Sequence, residues 1–132
     1  FLEDALARLG LKAETLHARA EDAAKMAAHR EQYDAAVSRA VANAATLEEL
    51  TLPFVQKGGV AIAWKGPGVA EEMTAARRAA FLLGGTVRGT VDAPIPGRDD
   101  WAHVLLLTDK TGTTPKAYPR KAGTPNRKPL GQ

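Results

Sequence analysis

The run "VAIAW" at residues 60–64 is short, almost continuously apolar and flanked by helical patterns on both sides. Such a segment reads as a buried strand, and a buried strand needs neighbours in a sheet covered by helices. The chain supplies candidates for both. "LKAETLHA" (11–18), "YDAAVSRAVA" (33–42), "TVRGTVDAPI" (86–95) and "HVLLLTDK" (103–110) read as further strands. Leu2, Leu6 and Leu9 recur at helical spacing before the stop at Gly10. "RAEDAAKMAAHREQY" (19–33) is Ala-rich and helix-prone. "TLEELTLPFVQKGG" (46–59) predicts a helix, with Thr46 and Glu49 as a capping box and Lys57, Gly58 and Gly59 as its stop. "VAEEMTAARRAAFLLGG" (69–85) is the clearest helix, with Val69, Met73, Ala76, Ala80 and Leu83 on one face.

Helices and strands therefore alternate until a final pair of strands joined by the polar loop "PGRDDWA". That order predicts an α/β fold with a mostly parallel sheet and a final antiparallel strand. In such sheets ligands meet the carboxyl ends of the strands. Glu21 and Asp22, Arg39, and Lys65 follow three successive strand patterns. They read either as one shared crevice or as a helix cap with two surface cations.

Residues 114–132, "TPKAYPRKAGTPNRKPLGQ", hold Pro115, Pro119, Pro125 and Pro129 and no acid. Four residues without a backbone donor and with fixed φ predict a segment that stays out of the core. Residues 110–132 carry six cations, which leaves a balance of −3 on the rest of a chain whose total is +3. A basic segment on a mildly acidic body fits a polyanion partner, or else a solvated end without a role. The 132 residues suit one domain. Cys is absent, which excludes disulfides and thiolate–metal sites and agrees with a reducing cytoplasm. The sequence has no long apolar span for a membrane. It has no G-x-G-x-x-G, P-loop, H-E-x-x-H or G-x-S-x-G motif. His17, His29 and His103 lack metal-ligand spacing and read as structural or surface residues, and no metal is expected. Trp101 reads as a packing residue or as a base-stacking one.

"RAED", "YDAAVSRAVA", "LPFVQKGGVAIAWKG", "LLGG" and above all "YPRKAGTPNRKPL" resemble, in order, the bacterial glucose-inhibited division protein B family. The resemblance implies a Rossmann-like S-adenosylmethionine-dependent methyltransferase that modifies guanine N7 in 16S ribosomal RNA. The family's glycine-rich cofactor loop has no counterpart here, since Gly10 and Gly58 are the first two glycines. The expectation is that these residues form the C-terminal part of the enzyme and are inactive alone. Residues 1–109 would be a partial methyltransferase domain and 110–132 a basic Pro-rich tail. Carried over by motif, Ala20 and Glu21 match the pair that contacts the cofactor's adenine, Ala20 through its backbone and Glu21 as acceptor for the exocyclic amine. Arg39, in "SRA", also borders the cofactor. Lys65, Arg120, Lys121, Arg127 and Lys128 are expected to face RNA. Tyr118 is expected to pin the tail to the body. No residue is expected to act as an acid or base: guanine N7 already carries a lone pair and no proton. The partner implied is ribosomal RNA or the small ribosomal subunit. The competing readings are a non-enzymatic RNA-binding module with a degenerate α/β body, and a small-molecule methyltransferase, which leaves the basic tail unexplained.

Overall fold

A computed structural model describes residues 2–39, 42–94, 96–97 and 103–132. In chain order the elements are α1 (Leu2–Leu9), α2 (Ala20–Ala23), β1 (Tyr33–Arg39), α3 (Ala44–Thr51), β2 (Val55–Lys65), α4 (Met73–Leu82), β3 (Gly85–Asp92), β4 (Val104–Lys110) and α5 (Thr124–Arg127). Single 3₁₀ segments, Leu52–Phe54 and Pro67–Glu72, lead into β2 and α4.

The four strands form one sheet in the order β1-β2-β4-β3. β1 pairs parallel with β2, and β4 pairs antiparallel with both β2 and β3. Three strands thus share one direction, and the last strand in the chain runs against them. This is the mixed α/β sheet that the alternating pattern predicts, and it fits a Rossmann-like methyltransferase. Rows cross the sheet in register: Val37, Ile62, Leu107 and Gly89 form one, and Arg39, Trp64, Leu105 and Val91 the next.

The core lies between one face of the sheet and the helices α3 and α4. Ala61, Ala63, Val87 and Leu106 from the strands meet Ala44, Leu47, Ala76, Ala79, Ala80 and Leu83 from the helices. The stripe expected on α4 is buried: Val69, Ala76, Ala80 and Leu83 are out of solvent, and Met73 packs against them half-buried. Small residues on α3 and α4 let the two helices lie close over the sheet. On the opposite face Val37 is 73% exposed.

Several local expectations are corrected. Residues 11–18 form no strand, because no described strand lies beside them to complete a ladder. The helix expected over 19–33 shrinks to α2, and residues 24–31 continue as hydrogen-bonded turns. Tertiary contacts override Ala-rich propensity there: the Arg30 guanidinium turns inward to the carbonyls of Ala24, Thr114, Pro115 and Tyr118. α3 starts earlier than the Thr46 capping box predicts. Asn43 is its N-cap, and its side chain accepts from the Thr46 N–H. α3 also stops at Thr51, so Lys57, Gly58 and Gly59 lie inside β2 rather than after a helix. They fall where the β1/β2 register shifts, between the Tyr33–Val55 and Ala35–Val60 pairs.

Candidate functional site

β1 and β2 are parallel, so their carboxyl ends lie side by side. Arg39 ends β1 opposite Trp64, and Lys65 ends β2 one residue later. The two cations expected at a shared crevice are therefore neighbours, in different settings. Arg39 is exposed, and its side chain has no hydrogen bond or ion pair to another described residue. Lys65 is buried, and its ammonium donates to the Ala42 carbonyl at 2.9 Å and pairs with Glu72 at 2.9 Å. Glu72 also accepts the Ala44 N–H at the start of α3. Lys65 thus ties the crossover after β1 to the turn after β2.

Ala20 and Glu21 open α2. As the first residue of a helix, Ala20 has an N–H without an intrahelical acceptor. Glu21 is 4% exposed. Its Oε2 accepts from the Arg19 guanidinium at 3.0 Å and from the Gly123 N–H at 2.8 Å. Burial pushes its carboxyl up, but the N–H of Gly123, its own N–H and Arg19 outweigh burial and hold the group below the ordinary range. Glu21 stays an acceptor. Ala20 and Glu21, the pair expected at an adenine ring, thus present a backbone donor and a carboxylate acceptor at the head of α2.

The Pro-rich segment does not stand off the body, as its four prolines predict. Pro119 and Pro125 are fully buried, Leu130 is buried to 9% exposure, and Tyr118 packs against the core. The physical reason is in the backbone. Prolines bring no donors that burial would leave unpaired; of the remaining N–H groups, some close turns within the segment and three find acids of the body. Thr114 N donates to Glu31, Arg120 N to Glu49 and Gly123 N to Glu21. Carbonyls of Thr114, Pro115 and Tyr118 accept from Arg30, and that of Pro125 from the Thr46 hydroxyl. The acidic body thus holds the segment by its main chain.

That arrangement sorts the cations. Arg120 lies against Glu49, and its Nη2 also donates to the Lys128 carbonyl at 2.6 Å. Lys110, which belongs to the basic stretch by sequence, is 1% exposed and donates to the carbonyls of Leu52 and Val55. It also pairs with Glu31 at 3.1 Å. Burial pulls its ammonium below the usual lysine range, against the pull of Glu31. Lys116, Lys121, Arg127 and Lys128 remain exposed.

Sequence reasoning missed Arg30, Glu31 and Glu48, and cast Glu49 only as a capping residue. Their only signal was charge in otherwise apolar or helical surroundings. Glu48 is buried, accepts from the Thr108 hydroxyl at 2.6 Å and is pushed by burial to a pKa of about 7. Trp101 lies outside the described residues. His29 stacks on Tyr33, with Nδ1 2.7 Å from the phenol oxygen. Among the described residues no helix is long and apolar enough to cross a membrane, and no group of His, Asp and Glu could hold a metal ion.

Comparison with known proteins gives one family and a set of similar relatives. The family model GidB, described as rRNA small subunit methyltransferase G, matches residues 1–94. A ribosomal RNA small subunit methyltransferase G of Clostridium novyi (strain NT) is 46% identical over 130 residues, covering 98% of this chain and 53% of that protein. Proteins of the same name from Clostridium botulinum (strain ATCC 19397) and Leuconostoc citreum (strain KM20) are 47% and 43% identical over 131 residues, 98% of this chain and 54% of theirs. The chain spans about half the length of the curated relatives it matches. The chain thus belongs to the GidB family of rRNA small subunit methyltransferase G.

Proposed function

We propose that the complete protein transfers a methyl group from S-adenosylmethionine to N7 of a guanine in 16S ribosomal RNA, in the cytoplasm, and that these residues form part of it. Residues 1–109 contribute part of the cofactor site, and 110–132 contribute a phosphate-facing segment. The observation that carries the reading is the Glu21–Gly123 hydrogen bond. It puts the acid cast for the adenine within one contact of the segment cast for RNA.

The residues present suit the cofactor. Glu21 is held ionised, so it accepts from an exocyclic amine. Ala20 offers a backbone donor beside it. Arg39, exposed at the carboxyl edge of the sheet, is free to meet a carboxylate, a base oxygen or a phosphate. When bound, S-adenosylmethionine supplies an electrophilic methyl group. This chain's residues then have one task, to align the guanine N7 lone pair with that methyl, and such positioning contributes up to roughly 7–11 kcal/mol. No proton moves, so the absence of a poised histidine is no obstacle. Lys121, Arg127 and Lys128 supply phosphate contacts without base specificity. Lys65 and Arg120 spend their charge on Glu72 and Glu49 and hold the surrounding backbone in place.

The test uses the full-length protein, radiolabelled S-adenosylmethionine and 16S ribosomal RNA, with the product nucleoside identified by mass spectrometry after digestion. N7-methylguanosine is the expected product. RNA binding without any methyl transfer would favour the non-enzymatic binding module instead.

A further inference from the structure

Gly123 lies 102 residues from Glu21 in sequence, and its N–H reaches the Glu21 carboxylate at 2.8 Å. Its backbone has φ +88°, in the left-handed region that favours glycine. A side chain at this position would meet nothing closer than Arg127 Nε at 4.0 Å. Space therefore does not require glycine here; the backbone angle does. That angle turns the chain into α5 and aims the N–H at Glu21. The segment on either side is anchored independently, by Arg120 on Glu49 and by buried Pro125 beneath the Thr46 hydroxyl. Gly123 is thus held from both sides against the head of α2.

We propose that Gly123 is a positioning residue for adenine recognition, acting through Glu21. The inference rests on the reading of Glu21 as the adenine acceptor. Both the Gly123 N–H and the Arg19 guanidinium converge on Oε2. A carboxylate has about four acceptor sites on its two oxygens. Two donors on one oxygen fix the plane of the group and leave Oε1 for an exocyclic amine. Arg19 alone orients it poorly, because its side chain is 61% exposed and an exposed ion pair is screened by solvent. The backbone donor is the rigid one. The basic segment then has a second task beside holding phosphate: its main chain sets the angle of the acid that selects adenine.

The test measures the affinity of the full-length protein for S-adenosylhomocysteine and for S-inosylhomocysteine. The inosine analogue carries a carbonyl where adenine carries its amine, and a well-aimed carboxylate rejects it. The parent is expected to prefer the adenosine compound. Gly123→Val, which cannot hold φ +88° without strain, is expected to lose about tenfold of that preference. Gly123→Asn keeps both the N–H and access to the left-handed region, and is expected to retain the preference. A change in stability alone alters both affinities together and leaves their ratio intact. If Gly123→Val does not fold, replacing the 122–123 amide by an ester removes only the N–H and takes its place. Full discrimination after either change, with discrimination lost in Glu21→Ala, overturns the role of Gly123. Full discrimination in Glu21→Ala as well overturns the adenine reading of Glu21 itself.

Discussion

Arg120 and Glu49 meet across 71 residues of sequence, with Nη2 2.7 Å from Oε1 and the Arg120 backbone N–H 2.8 Å from Oε2. The Glu49 side chain is wholly buried, whereas that of Arg120 is 26% exposed. One acid in the middle of α3 thus receives both the main chain and the side chain of the Pro-rich segment. Removing the arginine strands a buried carboxylate. Arg120→Ala is expected to cost about 3 kcal/mol, the usual scale for breaking a buried pair. Adding Glu49→Gln to it should restore part of that loss, because the stranded charge is gone. Urea unfolding of both single variants and the double variant checks the order; equal stability of Arg120→Ala and the parent would remove the pair from the account of how the segment docks.

Glu48 imposes a pH dependence of a definite sign. Its pKa rises from an ordinary 4.5 to about 7, through burial, against the hydrogen bond from Thr108. Between those values the folded state binds more protons than the unfolded chain, so stability falls as pH rises through this window and levels off above it. Glu48→Gln keeps an acceptor for Thr108 and removes the titration. It should be more stable than the parent at pH of about 8, by at most roughly 3 kcal/mol, and similar to it at pH of about 4. Denaturation midpoints across that range test this, and parallel curves for the two proteins would contradict it.

Lys110 ends β4 with its ammonium on two carbonyls and Glu31. Lys110→Met fills the same space and takes the charged donor from all three acceptors, leaving Glu31 only the Thr114 N–H and Leu52 only the Val55 N–H. A loss of about 2–4 kcal/mol is expected, from buried acceptors stripped of a charged donor. Thermal unfolding reads it directly. A shift no larger than that of a surface lysine variant would mean that water replaces the ammonium at little cost.

Lys121, Arg127 and Lys128 are exposed on a segment held by its backbone, so their removal should not disturb the fold. In the full-length protein the triple Ala variant is expected to bind 16S ribosomal RNA more weakly and with a flatter salt dependence. Each phosphate contact contributes about 0.7–0.9 to the slope of log affinity against log salt, so the slope should fall by about 2. Cofactor affinity and melting temperature should not change. An unaltered slope would take these three residues out of the RNA site.

Much of the architecture was legible in local pattern. The apolar run at Ala61 and Ile62 placed β2, and the stripe from Val69 to Leu83 placed α4. Gly84, at φ +86°, ends that helix as its position predicts. Reading the last strand as antiparallel also followed from pattern, because a short polar loop cannot make a parallel crossover. Local pattern failed where a residue's partner is remote. Thr46 and Glu49 have capping-box spacing, yet Thr46 donates to Pro125 and Glu49 holds Arg120. Residues 11–18 have strand-like alternation but no described neighbour to pair with.

The sequence by itself determined the element order from β1 to β4, the direction of the strands, and the separation of basic segment from acidic body. These depend on periodicity, glycine and proline positions, and composition, all of which act over a few residues. Only the tertiary structure decided which charges are free. Lys65, Lys110 and Arg120 look like Lys121, Arg127 and Lys128 in a one-dimensional reading. Their fates differ because Glu72, Glu31 and Glu49 are brought to the first three by strand pairing and helix packing. An acid stabilises whichever cation the fold delivers to it, and the cations left over, Lys121, Arg127 and Lys128, stay exposed to solvent.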